Sequence, residues 1–398
     1  MTMVPERPIA DPKVVDALRD MADALDRAFR AAGCQSVDSP ILQPADEIID
    51  LLGENVRRRV FMCADAAGEE LCLRPDLTIP TCRYYLNGLD PSAPPASQTR
   101  LSYCGPGFRR APSGEARARE FTQAGFELLG PEDALKADLE TFKLTYDVCV
   151  GAGFTGPQLR FGDLGLFTAL LDALPLSEAW RHKLKRNYWR PDYFSNLVGQ
   201  LADPALQREA VLGKVLSKLD PEEAQKVVAD LLTLSEVEAV GSRTLDEITE
   251  RLVSQAIETA TDPLADDQVT LINAFLKVEG PPLEALSEVA DLVQSGGVNV
   301  SSALDLARTR FERIGALGVD LAAARFSTTF GRHLEYYTGF VFELNEPRLG
   351  SEGQVAGGGR YDRLLETMGA PWPVSASGAA IRVERLFGAA ALAGGQGA

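Results

Sequence analysis

Phe108-Arg109-Arg110-Ala111, followed by Arg117-Ala118-Arg119-Glu120-Phe121-Thr122-Gln123-Ala124-Gly125-Phe126-Glu127-Leu128-Leu129-Gly130, is the stretch on which the fold turns. Residues 121–129 read as a β-strand closed by a glycine. Side chains alternate faces along a strand, so Phe121, Gln123, Gly125 and Glu127 share one face. Thr122, Ala124, Phe126 and Leu128 share the other, which is mostly apolar and reads as core. The first face sets two polar groups astride a glycine. A glycine inside a strand weakens it unless something approaches the backbone closely. Two readings follow: a ligand lying over Gly125 between Gln123 and Glu127, or an exposed polar face with an incidental glycine.

Outward from this strand, the flanking segments alternate between helix and strand signals. Asp11 is placed to cap a helix over 12–32, Pro12 suits its first position, and Gly33 ends it. Val14, Leu18, Met21, Leu25 and Phe29 recur at three- and four-residue steps along it. Short strands are expected at Val60–Cys63, Leu71–Arg74 and Leu101–Cys104, with Pro91, Pro94 and Pro95 breaking the chain between them. Residues 134–151 read as helix. From 175 to 320 the chain is rich in Ala, Leu, Glu and Asp at helical spacing, as in Glu222–Leu232 and Leu245–Ile257. Strand signals return at Phe326–Phe330 and Glu335–Leu344. A Gly-rich turn, a helix over Arg360–Met368, the apolar run Ala379–Val383 and a last helix follow. The layout is α+β: an antiparallel sheet with flanking helices, interrupted by a helical block. The expected division is a discontinuous core of 1–174 and 321–390, a helical insertion at 175–320, and a flexible tail at 391–398.

Composition bounds the function. The 398 residues carry 40 basic and 57 acidic side chains, a net charge of −17. That balance argues against broad sequence-independent binding to nucleic acid, which needs a basic surface. The dense basic patch is Arg181, Lys183, Lys185, Arg186 and Arg190, interleaved with Trp180, Tyr188 and Trp189. It reads as a solvated helix face with its aromatics turned inward, or as a docking surface for an acidic partner. The six cysteines lack Cys-x-x-Cys spacing and only His182 and His333 are present, so no zinc site and no cofactor are expected. The amino terminus lacks a signal-peptide core, and no run of 18 apolar residues occurs. A cytoplasmic protein with reduced thiols, away from membranes, is the expectation.

Four motifs carry a resemblance. Residues 108–130 resemble motif 2 of class II aminoacyl-tRNA synthetases in its histidyl form. Leu73-Arg74-Pro75-Asp76-Leu77-Thr78 resembles that family's Arg-Pro-Glu-x-Thr. Gly331-Arg332-His333-Leu334-Glu335-Tyr336-Tyr337-Thr338-Gly339 is similar to its histidine-specific Arg-Gly-Leu-Asp-Tyr-Tyr segment, the most specific of these matches. Gly357-Gly358-Gly359-Arg360-Tyr361-Asp362 resembles its Gly-Gly-Arg-Tyr-Asp loop. The resemblance covers roughly 10–150 and 325–390 and implies a class II synthetase-like fold. It also implies a histidine-binding set of Asp76, Thr78, Arg109, Gln123, Glu127, Arg332, Tyr336 and Tyr337. Asp76 and Thr78 would hold the ammonium, Arg332 and Gln123 the carboxylate. Glu127 and Tyr337 would face the imidazole, which offers an N–H and an acceptor. Tyr336 would wall the pocket.

The departures from the family decide what the resemblance implies about activity. Ala111 stands where motif 2 has the adenine-binding Glu, and a methyl group accepts no hydrogen bond. Ser377-Gly378-Ala379-Ala380-Ile381-Arg382-Val383-Glu384-Arg385 looks like motif 3, but Arg382 replaces a Gly that leaves room beside the nucleotide. His333 replaces another Gly. The chain stops soon after motif 3, where a histidyl-tRNA synthetase continues into an anticodon-binding domain. This combination resembles the synthetase paralogues that serve as regulatory subunits of ATP phosphoribosyltransferase. The implied chain performs no chemistry, activates a short-form catalytic subunit, and conveys inhibition by L-histidine in the first step of histidine biosynthesis. A homodimer through the region near Pro40, within a hetero-octamer and without tRNA, is implied. Whether histidine takes the ancestral pocket or a subunit interface is left open. The alternatives are a divergent histidyl-tRNA synthetase and another adenylate-forming synthetase-like enzyme.

Overall fold

The computed structural model describes residues 11–49, 51, 58–90, 92, 97–110, 119–130, 133–188, 264–331 and 336–395, with isolated positions between 194 and 230. The strands in chain order are β1 (Gln35–Ser36), β2 (Leu42–Pro44), β3 (Phe61–Ala64), β4 (Glu70–Leu73), β5 (Thr99–Phe108), β6 (Glu120–Leu129), β7 (Gln158–Asp163), β8 (Glu279–Gly280), β9 (Arg325–Ser327), β10 (Phe340–Asn345), β11 (Gln354–Arg360) and β12 (Ala376–Arg382). The main sheet runs β1-β5-β6-β12-β11-β10-β7-β9-β8. The expected antiparallel sheet is its central part, from β5 to β7. β1 and β9 join β5 and β7 in parallel, so the whole sheet is mixed. A smaller sheet, β2-β4-β3, is antiparallel.

The two faces of the main sheet are covered differently. Helix Pro12–Ala31 starts where expected, with the Asp11 carboxylate accepting from Lys13 N–H at 2.8 Å, and Gly33 follows it at φ 85°. Its Phe29 packs on Phe126 of β6, ring centroids 5.3 Å apart. Helix Ala134–Gly151 sets Phe142 against Phe161 of β7 and Phe342 of β10 on that same face. Helix Val383–Ala393 runs alongside. The opposite face, which holds Gln123 and Glu127, is roofed by helix Thr78–Asn87, the smaller sheet and residues 361–376, around a core of Ile79, Cys82, Tyr85, Leu101, Val341 and Tyr361.

The glycine run 357–359 corrects the sequence reading. It is not a turn but the interior of β11, and the helix that follows is only Leu364–Thr367. Three glycines signal a chain break, yet here they allow close packing of strands. A Cβ on Gly358 would lie 2.4 Å from the Gly378 carbonyl oxygen, and one on Gly359 would lie 2.5 Å from that of Phe340.

The chain forms two compact units. One comprises Met1–Phe167, Val278–Glu288 and Ser301–Ala398; the other comprises Thr168–Lys277 and Val289–Val300. The expected insertion of 175–320 therefore differs from the observed division, because the chain rejoins the sheet at β8 and again at helix Ser301–Ala316. That helix is tied to the sheet unit by Arg310, which ion-pairs with Asp138 and Asp163. In the second unit, helix Glu178–Asn187 buries Trp180 and Leu184. Arg181 pairs with Glu178, and Lys185 pairs with Asp172 at 2.6 Å. This described part of the basic patch has the inward-turned aromatics of the blander reading. Trp189, Arg190, about half of the expected helix Glu222–Leu232 and all of Leu245–Ile257 lie outside the described residues.

Candidate functional site

The site is built on the pairing of β5, β6 and β12. The register places Tyr103 opposite Gly125, Gly378 opposite Glu127, and Arg382 opposite Gln123. Residues directly opposite in an antiparallel pair share a face, so Tyr103, Gln123, Glu127 and Arg382 project to the same side. Gly125 and Gly378 are the gaps between them. A Cβ on Gly378 would lie 1.7 Å from Glu127 Oε2, and one on Gly125 would lie 2.5 Å from the Tyr103 hydroxyl. What approaches Gly125 is thus the protein's own Tyr103 phenol. This corrects the expectation of a ligand lying directly over the glycine.

Glu127 is 1% exposed and sits between two phenols. Tyr103 OH donates to its Oε1 at 3.0 Å, and Tyr361 OH donates to Oε2. Neither tyrosine belongs to the set the resemblance implies. Tyr361 lies in the quoted Gly-Gly-Arg-Tyr-Asp match, whereas Tyr103 becomes legible only once the cross-strand register with Gly125 is known. Tyr336 and Tyr337, which do belong to that set, pack around Tyr361 with ring centroids 5.6 and 6.4 Å from it.

The second half of the site is an acid–amide cluster. Asp76 Oδ1 accepts from Thr78 N–H at 2.7 Å. Its Oδ2 faces both Arg109 Nη2 and Gln123 Nε2 at 3.4 Å. Gln123 Nε2 also reaches the Tyr103 hydroxyl at 3.4 Å, which links the two halves. A carboxylate only accepts, so the Asp76 contact orients the amide with its nitrogen inward. Gln123 Oε1 is left buried without a partner. An unpaired buried acceptor suits a donor such as an ammonium, and it does not suit the ligand carboxylate expected of Gln123.

Arg382 stands where the resemblance implies a glycine beside the nucleotide. The Arg382 guanidinium lies on the Phe121 ring, its carbon 3.1 Å from the centroid. The space a glycine would leave is filled. Arg109 Nε donates to the Pro75 carbonyl at 2.7 Å, Arg385 Nη1 to that of Gln354 at 2.8 Å, and Glu384 accepts from Thr122 N–H at 2.8 Å. Arg74 is likewise structural, donating to Pro106 and Ser39. Ala111, Arg332, His333 and Glu335 lie outside the described residues.

Burial, the largest cause, and the nearby Asp76 carboxylate push Glu127 up to about 8, against hydrogen bonds from Tyr361 and Tyr103 that pull it down. A folded value above the ordinary 4.5 means the folded chain binds the extra proton between the two. The neutral acid's contribution to stability is then complete below about 4.5 and is lost as pH rises through about 8. Glu127→Gln, which cannot titrate, is expected to narrow the fall in melting temperature between pH 5 and pH 8. Thermal unfolding of both proteins across that range checks this; parallel curves would contradict it.

Comparisons with known proteins show the family and the fold. The family model described as histidyl-tRNA synthetase matches residues 10–225 and 223–386. The chain is 32% identical over 375 residues to the ATP phosphoribosyltransferase regulatory subunit of Allorhizobium ampelinum, covering 92% of this chain and 96% of that protein. It is 33% identical over 372 residues to that of Sinorhizobium fredii, covering 90% and 93%. In fold it is similar to a solved Bacillus halodurans protein described as an ATP phosphoribosyltransferase regulatory subunit/histidyl-tRNA synthetase. That match has a TM-score of 0.64 at 22% identity and covers 98% of this chain and 84% of that one.

Proposed function

Because this chain belongs to the family of ATP phosphoribosyltransferase regulatory subunits, a branch of the histidyl-tRNA synthetase-like proteins, we propose that it binds a short-form catalytic subunit, activates it, and conveys feedback inhibition by L-histidine. Its role in the complex is regulatory rather than catalytic. The observation that carries the histidine assignment is the single buried cluster joining Glu127 to Asp76 through Tyr103 and Gln123. A free amino acid with a basic ring matches it at both ends. Asp76, Thr78 and the unpaired Gln123 Oε1 take the ammonium. The Glu127 carboxyl, held by Tyr103 and Tyr361, takes the imidazole. Arg332 remains the residue assigned to the ligand carboxylate, and Tyr336 and Tyr337 wall the ring side.

Two copies are proposed to pair near Pro40, where Ile41, Leu42 and Met62 of the smaller-sheet region are exposed. Such dimers would be the regulatory half of a hetero-octamer working in the cytoplasm, without tRNA. Among the described residues no helix is long and apolar enough to cross a membrane.

The rival reading, an adenylate-forming enzyme, needs an open nucleotide site. Arg382 stacked on Phe121 counts against it. With ATP, histidine and magnesium, the purified chain is expected to exchange no pyrophosphate above a no-protein control. Histidine-dependent exchange would overturn the regulatory reading.

A further inference from the structure

Behind the sheet from Glu127 lies a second polar cluster that the histidine assignment does not use. Arg310, on helix Ser301–Ala316, is 3% exposed. Its Nε donates to Asp138 Oδ2 at 3.0 Å and its Nη1 to Asp163 Oδ2 at 2.6 Å. The other oxygen of Asp138 accepts from Arg360 Nε at 2.9 Å. Arg360 also donates to Asp362 Oδ1 at 2.9 Å and to the Ala134 carbonyl at 2.6 Å. Two guanidiniums and two buried carboxylates thus bridge helix Ala134–Gly151, helix Ser301–Ala316 and the ends of β7 and β11.

Arg360 and Tyr361 are consecutive, and consecutive side chains of an extended segment project to opposite faces. Arg360 enters the ion cluster on the helix side. Tyr361 crosses to the other side and donates to Glu127. The backbone between them is pinned: Tyr361 N–H donates to the Ala376 carbonyl at 2.8 Å, Thr338 N–H to the Arg360 carbonyl at 2.8 Å, and Asp362 N–H to Thr338 Oγ1 at 3.1 Å. Asp362 Oδ1 also accepts from Ala376 N–H at 3.0 Å.

We propose that Arg310 is a positioning residue for the Glu127 site, acting through Asp138 and Arg360 to set the backbone that presents the Tyr361 hydroxyl to the Glu127 carboxyl. The inference rests on the histidine reading for its binding test, though not for its geometry. It assigns a ligand-binding role to a helix that the sequence reading placed in the insertion.

The test is a double-mutant cycle between the two ends. Arg310→Met, and the paired change Arg310→Met with Asp163→Asn that leaves no orphaned carboxylate on the outer arm, are each combined with Tyr361→Phe. The paired change keeps the test available where Arg310→Met alone does not fold. By calorimetry, the Arg310 variants and Tyr361→Phe are each expected to weaken L-histidine binding on the order of tenfold. The combination is expected to be no weaker than Tyr361→Phe alone. Neighbours acting through one another are non-additive, whereas a merely structural arginine gives additive effects. Additive losses, or unchanged affinity in a folded Arg310 variant, would overturn the proposal.

A ligand-free readout separates this inference from the reading beneath it. The Glu127 carboxyl is titrated by NMR with carbon-13-labelled glutamate. Both single changes are expected to move its midpoint, and the combination is expected to move it no further than Tyr361→Phe does. An unmoved midpoint in the Arg310 variants would overturn the positioning role. A wild-type chain that binds no histidine would sink the histidine reading, while the titration would still decide the role of Arg310.

Discussion

Glu127→Ala is expected to weaken L-histidine binding roughly 10- to 150-fold. Under the proposed function Glu127 is the acid assigned to the ligand ring; it is buried and accepts hydrogen bonds from Tyr103 and Tyr361. An imidazole brings one N–H and one lone pair, so it shares a proton with a carboxyl group, and where that proton passes to the ring the bond is charge-assisted. Hydrogen bonds to charged groups contribute about 1.5–3 kcal/mol, and each 1.4 kcal/mol is about tenfold in affinity. Truncation also leaves two buried phenols without their acceptor, which adds to the loss. Activation of the catalytic partner in the absence of histidine is expected to survive, since the change removes a ligand contact and leaves the surface intact. Inhibition of the reconstituted complex is then expected to move to higher histidine by a similar factor, by linkage. Calorimetric titration and inhibition curves measure both effects. Unchanged affinity in a folded Glu127→Ala chain would place the histidine site elsewhere, and lost assembly would make Glu127 structural.

Features set by local chemistry were legible in the chain. Asp11, Pro12 and Gly33 mark the ends of the first helix because capping and positive φ are decided within a few residues. The alternation of residues 121–128 placed Gln123 and Glu127 on one face and Ala124, Phe126 and Leu128 in the core. Features that depend on a distant partner were not legible. The Gly357–Gly359 run reads as a turn until β10 and β12 are set beside it. Tyr103 reads as an ordinary strand tyrosine until Gly125 is found opposite. The orientation of the Gln123 amide follows from Asp76, 47 residues earlier in the chain.

The resemblance gave the motif residues but not their mutual geometry. Asp76, Thr78, Arg109, Gln123 and Glu127 do meet in one hydrogen-bonded cluster. The hydroxyls on Glu127, however, come from Tyr103 and Tyr361, and the buried Gln123 Oε1, without a partner, favours a ligand donor over the expected carboxylate. Arg310 lies in a stretch that matched no motif, and its partners Asp138 and Asp163 are 172 and 147 residues away. Helical periodicity marks such a residue as part of a helix and says nothing of what it reaches.

Under the proposed function this chain acts through another protein. The Asp76–Glu127 cluster keeps groups that suit a free amino acid, and Arg382 lies against Phe121 where the resemblance implies a glycine; under the proposed function the chain is then a sensor whose output lies elsewhere. Coupling between sites typically amounts to about 1–3 kcal/mol, or about 5- to 150-fold. The most direct measurement is the turnover of the short-form ATP phosphoribosyltransferase from the same organism, with and without this chain, alongside sizing chromatography of the mixture. A rise of about fivefold or more, co-migration of the two chains, and reversal of the rise by L-histidine are expected if the chain is a regulatory sensor. An unchanged rate with the two chains migrating separately would contradict it.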